Sequence, residues 1–317
     1  MPIRLALLYL MALLLLPLGA ASAAGLPVSA KALSFKDKAL TISVKFPQTG
    51  NKAIDAVLAD YARKSVASFK AYEPDVGERP YELDMTYSVE RNDGKMFAVL
   101  FTNYADTGGA HPNTDFAAFN FLLPDGAQVF LPEILDGSRG LKRVAELAAA
   151  DLLRRIGTGD DAMSDKDTIA MGTAPAADNF KDFVWLPDKL HIFFPPYQVA
   201  AYAAGPQEAF IPLAKLKDVI RPDWRKPAPS FACAKAATGI EKAICADASL
   251  ARLDRQTAEA YQTAMRNAYE PVAQAKLRQE QRDWLGKRNA ACAGAAPGAC
   301  LSKFYRDRLA KLANPPV

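Results

Sequence analysis

All four cysteines of this 317-residue chain, Cys233, Cys245, Cys292 and Cys300, fall in its last third. Just ahead of them runs Arg221-Pro-Asp-Trp-Arg-Lys-Pro-Ala-Pro-Ser230, whose three prolines lack backbone donors and bias the chain to extended structure. Cross-links are thus confined to the residues beyond the proline-rich stretch, and the chain is expected to divide there into residues 24–220, a linker at 221–229, and residues 230–317. Charge divides at the same place. From Pro229 onward there are 14 Lys/Arg against 8 Asp/Glu, net +6, whereas Gly25 to Ala228 carries 24 against 27, net −3.

Before the break the apolar residues mix two periods. Asn51 is placed to cap a helix running to about Ala71, with Ile54, Leu58, Tyr61 and Val66 at helical spacing. Tyr81, Leu83, Met85, Tyr87 and Val89 then alternate as a half-buried strand does. Phe97, Val99 and Phe101 continue the alternation after Asp93-Gly94, and Phe116 to Leu123 forms another strand ending at Pro124-Asp125-Gly126. A second helix is expected over Leu141 to Ile156, and a hairpin joins Phe183–Leu186 to Leu190–Phe194. The class is α+β, an antiparallel sheet with two packed helices. After the break no strand pattern remains, and the tail reads as a small all-α, disulfide-stapled helical hairpin.

The amino terminus has the form of an export leader. Arg4 supplies a positive charge, Leu5 to Leu16 an apolar run, and Ala21-Ser22-Ala23 a small-x-small cleavage site, so residues 1–23 are expected to be removed. The run is shorter than the roughly 20 residues of a membrane-spanning helix, and no cysteine follows it to carry a lipid. The expected product is periplasmic or secreted, with no stable membrane insertion after cleavage. With 39 Lys/Arg against 35 Asp/Glu overall, the chain also lacks the basic excess of a general nucleic-acid binder.

In an exported chain an even set of cysteines reads as two disulfides. A metal site is not indicated, because the spacings contain no C-x-x-C knuckle and no histidine is near. Thr238 to Glu241 forms a capping box, Asp247 is a plausible N-cap for a longer helix, and Pro271 suits the first turn of the next. If those two helices form an antiparallel hairpin, cysteines that face each other lie equally far from its turn. The midpoint of Cys245 and Cys292 falls at Ala268-Tyr269, just before Pro271, and that of Cys233 and Cys300 nearly coincides with it. This favours the nested pairs Cys245–Cys292 and Cys233–Cys300, each closing a loop of more than 40 residues and contributing about 4 kcal/mol. The local pairs Cys233–Cys245 and Cys292–Cys300 stay open on geometry this coarse. The same register sets Asp254 opposite Asp283 and Trp284, within a turn of Arg288, while Gln281, Trp284 and Arg288 share one helix face. A buried Trp with an Asp–Arg pair holding the hairpin is the expected role of these four residues.

Two loops carry chemistry. One is Thr107-Gly-Gly-Ala-His111-Pro-Asn-Thr114, a glycine-rich turn holding one of only two histidines. The other is Phe193 to Pro206, where Pro195, Pro196, Tyr197 and Tyr202 form a stiff loop with amphipathic rings, suited to recognising protein or sugar. His191 lies in an apolar strand and reads as a sheet residue. Asp106 and Asp115 flank the first loop without any spacing that demands a metal. No Ser-His-Asp order, telling carboxylate pair or phosphate loop stands out, so neither catalysis nor a cofactor is expected.

Gly108-Gly-Ala-His-Pro-Asn113, Phe193 to Gly205 and Ile211-Pro-Leu213 together resemble the C-terminal domain family of the lysozyme-sensing anti-sigma factor RsiV, also found in the peptidoglycan deacetylase PdaC, over about Val28 to Ile220. Phe231-x-Cys233, Glu241-Lys-Ala-Ile-Cys245, Leu253-Asp254, Ala260-Tyr261, Gln281-Arg-x-Trp284, Arg288, Cys292, Cys300-Leu301 and Tyr305-x-x-Arg308 resemble the LprI-type lysozyme inhibitors, over about Ser230 to Ala313. Ala201 stands where the first family usually has proline, and Asn289 where the second commonly has an acid. Two modules each tied to lysozyme imply a lysozyme-binding protein, an inhibitor that occludes the muramidase cleft. Pro195, Pro196, Tyr197, Tyr202 and His111 are the expected contact residues, and the acidic first part would attract a basic partner. The alternatives are an envelope scaffold or sensor gripping another protein, and a wall-glycan enzyme using His111.

Overall fold

The computed structural model describes residues 24–72, 79–156, 164–225, 228–268, 270–294 and 297–313. The expected leader, residues 1–23, lies outside them. Two β-sheets stack face to face, each covered on its outer side by a helix. The first sheet has six strands in sequential order: β1 (Ser29–Lys36), β2 (Leu40–Gln48), β3 (Tyr81–Asn92), β4 (Met96–Asp106), β5 (Asn113–Leu122) and β6 (Ala127–Val129). Helix α1 (Lys52–Lys70) crosses from β2 to β3, and its N-cap Asn51 accepts from the backbone N–H of Ala53 and Ile54. The second sheet is β7 (Phe183–Trp185), β8 (Lys189–Phe194) and β9 (Gln207–Pro212), all antiparallel. It is covered by α3 (Gly137–Ile156), which buries Val144, Ala145, Ala148 and Leu152 against it.

The α+β class holds, and two details differ from the sequence expectation. The sheet is not single, and it is not wholly antiparallel: β2 and β3 run parallel, because a helix crossover returns the chain to the same end of the sheet. Strand β4 shows why two sheets form. Phe97, Val99 and Phe101 face α1, where they meet Ile54, Leu58 and Met85, while Ala98 and Leu100 face Val184 and Phe193 of the second sheet. A strand buried on both faces reads as a continuous apolar run, which Met96 to Phe101 is. Asn120 ties the layers together, donating to the Phe183 carbonyl at 2.7 Å and accepting from Trp185 N–H at 2.8 Å.

The proline-rich stretch is held to this body at its start. Ile220 pairs with Leu135, Arg221 N–H donates to the Ile134 carbonyl, and Trp224 is buried with its ring 5.6 Å from that of Trp185. Beyond it come α5 (Gly239–Ala246), α6 (Ala248–Asn267), α7 (Pro271–Ala291) and α8 (Pro297–Ala313). Thr238 and Glu241 form the capping box of α5, and Asp247 caps α6. Ile240, Ile244, Leu250, Leu301 and Tyr305 make the core of this all-helical region.

The nested disulfides are corrected: the bonds are Cys233–Cys245 and Cys292–Cys300, with Cα atoms 5.7 and 5.6 Å apart. Nested pairing requires one continuous rod on each side of the turn. Asp247 instead breaks α5 from α6 with an extended backbone, so Cys245 is not carried along the axis of α6. Cys233 sits in a 3-10 turn folded back on α5, and Cys300 lies in the first turn of α8 beside Cys292 at the end of α7. Helix α6 packs chiefly on α8, leaving α7 with only Arg288 buried. Loops closed over separations of 12 and 8 residues contribute about 3 kcal/mol or slightly less each, below the longer loops of the nested scheme.

Candidate functional site

His111 lies in the turn between β4 and β5. Gly108 begins that turn at φ +76°, and a Cβ there would also come within 2.9 Å of the Tyr81 ring, so glycine is required on both counts. Asp106 organises the entry, accepting from Gly108 N–H at 3.0 Å and pairing with Arg79 at 3.0 Å.

The second loop leaves β8 at Phe194. Gln198 N–H donates to the Pro195 carbonyl at 3.2 Å, closing a turn in which Pro196 precedes Tyr197 at φ +72°. Proline then a positive φ is the pattern of a type II turn, normally completed by glycine. Here a tyrosine takes the strained position. The loop is fastened underneath: the Gln198 side chain donates to the carbonyls of Gly172 and Asn179, both at 3.0 Å, and Val199 and Ala200 are buried. Gly172 ends α4 (Lys166–Gly172), and any Cβ there would collide with the Gln198 carbonyl at 1.9 Å.

These two loops, some 86 residues apart in sequence, meet. His111 stacks on Tyr202 with centroids 3.7 Å apart, and its Nε2 lies 3.1 Å from the Tyr197 hydroxyl. Tyr202 donates to the Pro112 carbonyl at 2.6 Å, and His111 Nδ1 lies 3.1 Å from that same oxygen. A carbonyl only accepts, so Nδ1 is the donor to Pro112, and in the neutral imidazole Nε2 accepts from Tyr197. Tyr197 is 61% exposed. The arrangement is a fixed aromatic plate of Tyr197, His111 and Tyr202 edged by Pro195 and Pro196, offering flat apolar area with little rotamer freedom left to lose. Sequence reasoning singled out all five residues in separate loops, yet missed Pro112 as shared acceptor and Gln198 as anchor.

His191 is elsewhere, bonded to Glu208 at 3.0 Å and set between Phe193 and Phe210; burial holds its pKa below the usual value. Among the described residues no group of three His, Cys, Asp or Glu is arranged to hold a metal ion. In the helical region Asp254 lies 3.8 Å from Arg288, and the Tyr305 hydroxyl bridges them, donating to Asp254 at 2.6 Å and accepting from Arg288 at 2.7 Å. Trp284 packs on Tyr305, Arg308 donates to Gln281 at 3.0 Å, and Asn289 accepts from Arg288 where an acid would have paired with it. Of the four motif residues Asp254 and Arg288 are buried, while Gln281 and Trp284 are half-buried, so the expected buried Trp is only partly covered.

Three family models match the chain in succession. Residues 25–114 match the deacetylase PdaC family, 129–214 a protein family of unknown function (DUF3298), and 233–312 the lysozyme inhibitor LprI family. The chain is similar to the peptidoglycan-N-acetylmuramic acid deacetylase PdaC of Bacillus subtilis, 27% identical over 59% of this chain and 40% of that protein. It is similar to lipoprotein LprI of Mycobacterium tuberculosis, 32% identical over 26% of this chain and 41% of that protein. The chain thus spans about two fifths of the length of either relative. An esterase of M. tuberculosis is 25% identical over 55% of this chain and 77% of its own. A crystal structure of a DUF3298 family protein from Pseudomonas aeruginosa covers 64% of this chain and 97% of its own at 14% identity, with a TM-score of 0.46. No helix among the described residues is long and apolar enough to cross a membrane.

Proposed function

We propose that the chain is an exported, non-catalytic lysozyme-binding protein that inhibits by occlusion. The match of residues 233–312 to a lysozyme inhibitor family carries the reading, and the relatives' names are in keeping with a role in the cell envelope. The plate of Tyr197, His111 and Tyr202 is the contact surface. Rigid aromatic rings on a fastened loop contact a partner at low entropic cost, and a body with net charge −3 favours approach of a basic enzyme. Seating the loop in the muramidase cleft would deny the sugar its two carboxylates. The catalytic reading draws on the deacetylase and esterase relatives. Against it, His111 touches a backbone carbonyl and two phenol rings, and among the described residues no carboxylate orients it as a base.

The test compares Tyr197→Ala with His111→Ala in lysozyme binding and in hydrolysis of acetylated wall glycan. Occlusion predicts binding at least tenfold weaker in Tyr197→Ala and no glycan hydrolysis by the parent chain. Hydrolysis lost on replacing His111 would establish the enzyme instead.

A further inference from the structure

Five of the fourteen Lys and Arg of the helical region meet a carboxylate at close range among the described residues. Arg252 faces Glu133, Arg288 faces Asp254, Arg308 and Lys311 share Glu280, and Lys303 meets Asp307 at 2.6 Å. Arg306 has no carboxylate partner among the described residues, and neither has Lys52. These two unmatched cations line one cleft of about 410 Å³ between α1 and α8. Lys52, Ala53 and Ala56 form one wall; Ala299, Ser302, Lys303, Arg306 and Asp307 form the other. Three cations thus face a shared space with a single carboxylate, itself held by Lys303, leaving the lining at net +2. Like charges gathered around a cleft repel one another until an anion enters, and they raise the local concentration of anions.

We infer that this cleft binds a phosphate-bearing anion. Arg306 offers a planar fork suited to phosphate oxygens, Lys52 and Lys303 act as mobile point charges, and Ser302 adds a hydroxyl. The alanines keep the walls low, so the anion can approach both helices. Two uncompensated charges match a diphosphate better than one carboxylate, a phosphodiester headgroup carries one charge but offers two oxygens to the Arg306 fork, and the volume suits a small ligand or a headgroup. Because α1 and α8 come from opposite sides of the proline-rich stretch, an occupant would bridge them and raise the melting temperature. The site uses none of the aromatic plate and does not depend on lysozyme binding.

The experiment titrates the chain from Ala24 onward with inorganic pyrophosphate at low ionic strength, and in parallel measures cosedimentation with phosphatidylglycerol and phosphatidylcholine vesicles. Lys52→Glu with Arg306→Glu is compared with Lys276→Glu with Arg282→Glu, an equal charge change on exposed positions of α7. The expected result is pyrophosphate binding that falls at least tenfold in the cleft variant, persists in the α7 variant, and weakens with salt. Binding to phosphatidylglycerol vesicles alone, with the same mutational pattern, would assign the phosphate to a lipid headgroup. Binding of neither probe, or equal loss in both variants, would overturn the site. Melting curves without ligand check that both variants fold.

Discussion

Tyr197 and Asp182 show how much turns on single residues. An L-residue at positive φ costs about 1 kcal/mol, so Tyr197→Gly relieves strain while removing the His111 bond and the ring. Its stability should change by less than about 1 kcal/mol in thermal melts while partner binding falls; a loss above about 2 kcal/mol would make the ring a packing element instead. Asp182 lies buried at the free edge of β5, accepting from Ala118 N–H at 3.3 Å. Burial pushes its carboxyl up to about 6 from 3.8, opposed by Lys181 and helped by Asp115. The native state therefore holds this proton more tightly than the unfolded chain. Its stabilising effect is full below about pH 4 and is lost as pH rises through 6, a difference of about 3 kcal/mol. Asp182→Asn keeps the acceptor without the charge, so urea unfolding should show it more stable at pH 7 by up to that amount and flatter between pH 4 and 7. A variant weaker than the parent at pH 7 would contradict the assignment. Nothing in Lys181-Asp182 marks a buried acid, since burial comes from the distant strand it docks against.

At the scale of elements, helices announced by caps were the most legible. Asn51, Thr238 with Glu241, and Asp247 act locally, so the residues that start a helix sit beside it in sequence. Strand pairing is not local. Leu40, Ile42 and Val44 alternate in β2, a strand the sequence reading passed over, its parallel pairing with β3 depends on where α1 returns the chain, and β1 is so exposed that no apolar pattern marks it. The plate suffered the same limit: its two loops were each readable, and their meeting comes only from stacking one sheet on the other. The disulfides failed because a helix break was visible at Asp247 yet its angle was not. Non-reducing peptide mapping should recover Cys233 linked to Cys245 and Cys292 linked to Cys300. A peptide joining Cys245 to Cys292 would contradict this helical arrangement.

Across the whole molecule, the helical region is docked by charge as well as by the linker. Arg252 of α6 meets Glu133, which lies within the helical turn α2 (Leu131–Ile134), at 3.2 Å with both side chains nearly inaccessible. Burial pushes the Glu133 carboxyl up, and Arg252 pulls it back down. Arg252→Ala strands that carboxyl and should cost about 3 to 5 kcal/mol in urea unfolding, whereas Arg252→Met with Glu133→Leu should recover most of it. A single variant losing under about 1 kcal/mol would show the contact to be incidental. Asp254 works on the near side of the same junction, accepting from Ser230 N–H and hydroxyl while it faces Arg288. The aromatic plate is fastened separately, by the Gln198 side chain beneath it and by the Tyr202–Pro112 bond, the fixed presentation that occlusion requires. The most direct test is titration calorimetry of the chain from Ala24 against c-, g- and i-type lysozymes, with muramidase activity followed in the same samples. Micromolar or tighter binding to at least one type, with activity lost in proportion to complex formed, is the predicted result; no heat and no inhibition with any of the three would contradict the account.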